Sequence, residues 1–211
     1  MHRHTKQLVR RGLPLAQAQK VLILTHGRGD TASGILSLAD HLKVDDFALI
    51  APQATANTWY PFSFMAPVVD NEPGLSTALG VMGQIVAEVE EAGFARRDIY
   101  FLGFSQGACL TSEFVARHAA PYGGVFIFSG GLIGARIDRS SYTGDFQGTP
   151  VFLGCSNVDP HIPLHRVQES TQIFREMGAE VTEEIYPNAP HTVFAQEIDF
   201  ANRVMAGSGG L

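Results

Sequence analysis

The sequence predicts an α/β fold: a mostly parallel, twisted sheet with helices on both faces. Several short runs are apolar throughout where a half-buried strand would alternate, and strands buried on both sides read this way. The segments between them carry apolar residues at steps of three and four, as a helix resting on a core does. Strand and helix alternate from about residue 20 to 206 with no break in composition, which makes a single domain over residues 1–211. A chain of this length buries about 70% of its unfolded surface, so its core needs no cross-links.

Residues before about 20 leave room for a short strand or two. The first buried strand is Val21–His26 (VLILTH) and the second Phe47–Pro52 (FALIAP). A long, proline-punctuated connection, residues 52–74, then carries Trp59, Tyr60, Phe62, Phe64 and Met65. Loops this long in a compact domain tend to be functional. Two readings stand for it: a satellite hydrophobic cluster over the sheet, or the aromatic wall of a pocket. On the second, Trp59, Phe62 and Met65 contact a substrate, joined by His161 from a later loop.

Leu75, Leu79, Met82, Val86 and Val89 mark a helix, followed by the strand Ile99–Phe104 (IYFLGF) and a helix over Gln106–Ala119. Strands Gly124–Gly130 and Pro150–Cys155 come next. A helix then follows on Leu164, Val167, Thr171, Phe174 and Met177. Ala179–Pro187 carries three glutamates and suits a strand nearer an edge. Phe194, Ile198, Ala201 and Met205 mark the last helix, and residues 206–211 are expected to fray.

Acidic residues outnumber basic ones 21 to 15, and no basic patch carries interleaved aromatics. That balance excludes nucleic acid or an anionic membrane as the main partner. No run approaches the ~18 apolar residues needed to span a bilayer. The opening MHRHTKQLVRRGLPL also lacks the apolar stretch of a secretory signal. Cys109 and Cys155 lie far apart in apolar surroundings and read as packed, reduced thiols. A soluble, cytoplasmic protein is expected. An edge strand or exposed aromatics could pair two subunits as a homodimer.

The chemistry centres on GFSQG, Gly103–Gly107, set between a buried strand and a helix. That is the context of a nucleophile elbow, with Ser105 raised on a tight turn. Its glycines let helix and strand approach closely. A serine hydroxyl needs a base held by a carboxylate, in chain order Ser, acid, His. Asp159 lies just past the strand Pro150–Cys155, and His191 in a loop between the last strand and the last helix. Open α/β sheets place their sites at such carboxyl ends. Asp145 and Asp199 are weaker acids, since one precedes its strand and the other lies in a helix. His161 and His165 are weaker bases, crowded beside Asp159. Together those three could suggest a metal site, but the triad already claims Asp159 and no compact ligand motif follows. No metal and no cofactor are expected. An oxyanion hole needs two donors: the Gln106 amide after the nucleophile, and the Arg28 amide in the loop LTHGRGDTASG (Leu24–Gly34). His26 is expected to shape that loop through hydrogen bonds.

The set HGRGDT, GFSQGACL, GCSNVDPHIP and PNAPH resembles the phospholipase/carboxylesterase family of α/β-hydrolases over nearly the whole chain. The resemblance implies an α/β-hydrolase fold with little or no lid. It also implies Ser105 as nucleophile, Asp159 as acid, His191 as base, and Arg28 and Gln106 as oxyanion amides. WYPFSF (Trp59–Phe64) is similar to a bacterial carboxylesterase branch rather than to thioesterases that handle long lipids. The implied activity is hydrolysis of short-chain or small aromatic carboxylic esters, a small-molecule substrate, through an acyl-enzyme. It should rise with pH as the base loses its proton. Alternatives are a thioesterase or lysophospholipase, a dienelactone-type lactone hydrolase, and a ligand receptor on a hydrolase scaffold.

Overall fold

The structure, a computed structural model, describes residues 3–207. Seven strands form one sheet: β1 (Leu8–Gly12), β2 (Lys20–Thr25), β3 (Phe47–Pro52), β4 (Ile99–Phe104), β5 (Gly124–Phe128), β6 (Pro150–Ser156) and β7 (Glu180–Tyr186). Their order across the sheet is β1-β3-β2-β4-β5-β6-β7. All neighbours are parallel except β1, which runs antiparallel against β3 with Leu8 opposite Pro52.

The apolar runs became the central strands because their side chains are covered on both sides. Val21 and Ile23 of β2 face one cluster, shared with α2 (Gly74–Glu91), α3 (Gln106–Arg117) and α4 (Leu164–Glu176). Leu22 and Leu24 face the other, shared with α1 (Ala32–Leu36) and α5 (Ala195–Met205). β7 is an edge strand, and its glutamates sit where only one neighbour pairs with them. α1 is the element that the sequence pattern did not announce. At five residues it is too short to show a period, and the Thr31 side chain caps it by accepting from the Gly34 amide at 3.0 Å.

At the other end, the Ala206 and Gly207 amides donate to carbonyls of α5 and close it; of the tail expected to fray, residues 208–211 lie outside the described residues. Among the described residues, no helix is long and apolar enough to cross a membrane. β3 and β4 lie on opposite sides of β2, so the chain reverses direction across the sheet at that strand. The carboxyl ends of β2 and β4 therefore open a crevice at the switch point, where ligands of such sheets bind.

Candidate active site

Ser105 ends β4 and begins α3 with φ 54° and ψ −120°, a conformation in which L residues are strained. Such a residue costs on the order of 1–3 kcal/mol and persists only when its surroundings over-determine it. Here its amide donates to the Phe128 carbonyl at 2.9 Å, and its carbonyl accepts from Cys109 at 3.0 Å. The flanking glycines are required sterically. A Cβ on Gly107 would stand 2.2 Å from the Thr25 carbonyl oxygen, and one on Gly103 would stand 2.7 Å from Ala108 Cα. Any side chain at either position would push α3 off β2 or β4.

His191 lies in the loop between β7 and α5, and its Nε2 is 2.9 Å from Ser105 Oγ. Its Nδ1 is 2.6 Å from Asp159 Oδ2, and the Asp159 side chain is fully buried. The other Asp159 oxygen accepts from the His161 amide at 2.8 Å and the Ile162 amide at 3.0 Å. Burial alone would raise the Asp159 carboxyl. The hydrogen bonds from His191 and the two amides outweigh it and hold the group below its ordinary range. The loops bearing Asp159 and His191 are tied directly, since the Asn188 amide donates to Asn157 Oδ1 at 2.7 Å. Asp145 binds the Gln147 amide ahead of β6 and Asp199 sits within α5, so neither approaches His191.

The loop after β2 abuts the serine: a Cβ on Gly27 would lie 3.5 Å from Ser105 Cβ. Gly27 to Asp30 form a turn with Gly29 at φ 82°, leaving the Arg28 amide without an acceptor among the described residues. The Gln106 amide occupies the first turn of α3, where no intrahelical acceptor exists. Buried His26 holds this loop. The Ala54 amide donates to its Nε2 at 3.1 Å, so Nδ1 carries the proton and donates to the Gly27 carbonyl at 2.8 Å. Desolvation lowers its pKa and keeps it neutral in that role.

A cavity of about 710 Å³ opens over Ser105, with Arg28, Tyr60, Phe62, Phe64, His161, Ile162 and His191 in its lining. The residue 52–74 connection is both of the things the sequence left open. Trp59, Tyr60 and Phe64 are buried in the core, while Phe62 is 58% exposed at the cavity. Of the four side chains expected to contact a substrate, Phe62 and His161 line the cavity, whereas Trp59 and Met65 do not. Trp59 is fully buried, donating from Nε1 to the His26 carbonyl at 2.8 Å, and Met65 packs against the core cluster.

Side chains far apart in sequence pin this wall. The Arg28 guanidinium donates to the carbonyls of Tyr60, Pro61 and Phe62 at 2.7–3.0 Å. The Gln106 carboxamide accepts from the Trp59 amide at 2.9 Å and donates to the Tyr60 carbonyl at 2.8 Å. Cys109, one helical turn beyond Ser105, also lines the cavity. The period of α3 would have revealed it, since residue i+4 shares the face of Ser105. Burial pushes its thiol to about 12, and that of Cys155 likewise, so both are held protonated. His165 is exposed on α4, and among the described residues no group of three or more His, Cys, Asp or Glu could hold a metal ion.

Residues 13–206 match the phospholipase/carboxylesterase family. The chain belongs to that hydrolase family. The phospholipase/carboxylesterase from Dyadobacter fermentans shares 49% identity with it, with TM-score 0.96 over 97% of this chain and 99% of that one. Acyl-protein thioesterase 1 from Kluyveromyces lactis is 30% identical over 75% of this chain and 78% of its own length. A carboxylesterase from Mesorhizobium loti shares the fold at TM-score 0.73 with 18% identity, covering 96% of this chain and 94% of the other. This family member therefore has the α/β-hydrolase fold, and its candidate site sits at the elbow of that fold.

Proposed function

We propose that this hydrolase is a serine carboxylesterase acting on short-chain or small aromatic carboxylic esters through an acyl-enzyme. The observation that carries this reading is the unbroken chain from Asp159 through His191 to Ser105 Oγ, at 2.6 and 2.9 Å. His191 takes the Ser105 proton as Oγ attacks the carbonyl carbon. Asp159 holds the imidazole with Nδ1 protonated and stabilises the imidazolium. The Arg28 and Gln106 amides receive the oxyanion of the tetrahedral intermediate. His191 then returns its proton to the leaving oxygen, and water hydrolyses the acyl-enzyme by the same route in reverse.

The cavity of about 710 Å³, with Phe62, Phe64 and Cys109 in its lining, has room for the acyl part of an ester beside apolar and aromatic side chains. The test is Ser105→Ala assayed on an activated short-chain ester. Turnover should vanish while the thermal transition stays in place, and retained turnover overturns the assignment. A thioesterase reading is favoured by the acyl-protein thioesterase relatives at 24–30% identity. An acyl-length series separates the two readings. The carboxylesterase rate falls beyond short chains, whereas a rate rising with chain length on thioesters favours the second.

A further inference from the structure

A second, largely apolar groove meets the cavity at Phe104 and His191. It holds about 510 Å³ and is walled by Leu38, His41, Val193 and Ile198, with Phe104 and His191 shared between groove and cavity. The Phe104 and His191 rings lie 5.0 Å apart at 34°, so together they form the ridge where the two spaces meet. Of the triad, His191 alone borders both.

We propose that this groove receives the leaving group of the substrate, and that the leaving group is a branched aliphatic or aromatic alcohol. The inference rests on the esterase reading above and deepens it. When Ser105 Oγ bonds to the carbonyl carbon, the oxyanion turns toward the Arg28 and Gln106 amides, whose residues line the cavity. The carbon–oxygen bond that breaks must present its oxygen within hydrogen-bond reach of His191 Nε2, because that nitrogen returns the proton taken from Ser105. The leaving oxygen is thus delivered onto the ridge, and whatever it carries extends along the groove wall. No Asp, Glu, Lys or Arg lines the groove, whereas Arg28 and Asp30 line the cavity. An alcohol in the groove is therefore stabilised by removing apolar surface from water.

The experiment measures kcat/KM for two ester series. One keeps an acetyl group and varies the alcohol through methyl, isobutyl and benzyl. The other keeps methanol and varies the acid. Leu38→Trp narrows the groove, and Leu38→Ala widens it. Leu38→Trp should lower the benzyl-to-methyl ratio of the alcohol series about tenfold or more, the scale on which an apolar pocket discriminates. Leu38→Ala should raise it, and the acyl series should be unmoved in both. Methyl acetate turnover reports that each variant is folded. A shift in the acyl series instead, or no shift in either, overturns the groove assignment while leaving the esterase intact. Absence of any Ser105-dependent ester turnover in the unsubstituted enzyme overturns both readings together.

Discussion

Glu197 is the most heavily buried carboxyl outside the triad, and its substitution by glutamine has a calculable consequence. It sits in the first turn of α5 with no solvent exposure, six residues after His191. One oxygen accepts from the Phe194 amide at 2.8 Å, and the other packs on Gly154 of β6 so closely that a Cβ there would stand 2.1 Å away. Desolvation is the main cause that raises its pKa from the ordinary 4.5 to about 8, with the Phe194 amide opposing and Glu184 of β7 adding repulsion. Tyr186 and Cys155 are raised as well, both chiefly by burial, with Glu197 adding to each.

The sign follows from proton counts. Between about 4.5 and about 8 the unfolded carboxyl has lost its proton while the folded one keeps it. The native state then binds more protons, and stability falls as pH rises through that window. At about 1.4 kcal/mol per pH unit, the ceiling on this loss is about 5 kcal/mol. Glu197→Gln keeps an acceptor for the Phe194 amide and removes the titration. Urea unfolding at pH 5, 6.5, 8 and 9 checks the outcome. The variant should gain on the unsubstituted protein as pH rises, by several kcal/mol between pH 5 and pH 8, and the gain should level off above 8. A difference between the two proteins that is the same at every pH refutes the reasoning.

Asp159→Asn should lower kcat by about ten-thousand-fold with little change in KM, because the imidazole loses the partner that fixes its tautomer; pre-steady-state and steady-state ester assays check this. Gly107→Ala should lower Tm by about 2–12 °C, since the new methyl meets the Thr25 carbonyl and overpacking of this kind costs about 1–3 kcal/mol. An unshifted calorimetric transition would contradict that. Gln106→Ala keeps the backbone amide but strands the Trp59 amide, at about 1–3 kcal/mol, while the Tyr60 carbonyl keeps its bond from Arg28. Limited proteolysis should then cut within residues 52–74 faster and KM should rise more than kcat falls. Unchanged cleavage would mean that Arg28 alone holds the wall.

The sheet and the elbow were legible because their determinants are local. An unbroken apolar run such as Phe47–Pro52 can be satisfied only with cover on both faces, and all six of its residues are buried. The glycines of Gly103–Gly107 encode a steric demand that five residues express by themselves. Asp159 and His191 could be placed at strand ends from chain order alone. The cavity wall was not legible in this way. Nothing in Trp59 says that it turns inward while Phe62 turns out, because the backbone there is held by Arg28 and Gln106, 34 to 47 positions away in sequence. Glu197 was silent for a related reason: a glutamate on a helix reads as solvated until β6 is packed over it. Periodicity and glycine sterics act between neighbours in the chain, whereas pocket shape and burial depend on which distant groups find each other. The residues proposed to react were therefore legible in the order of the chain, and the space beside them was settled by tertiary hydrogen bonds.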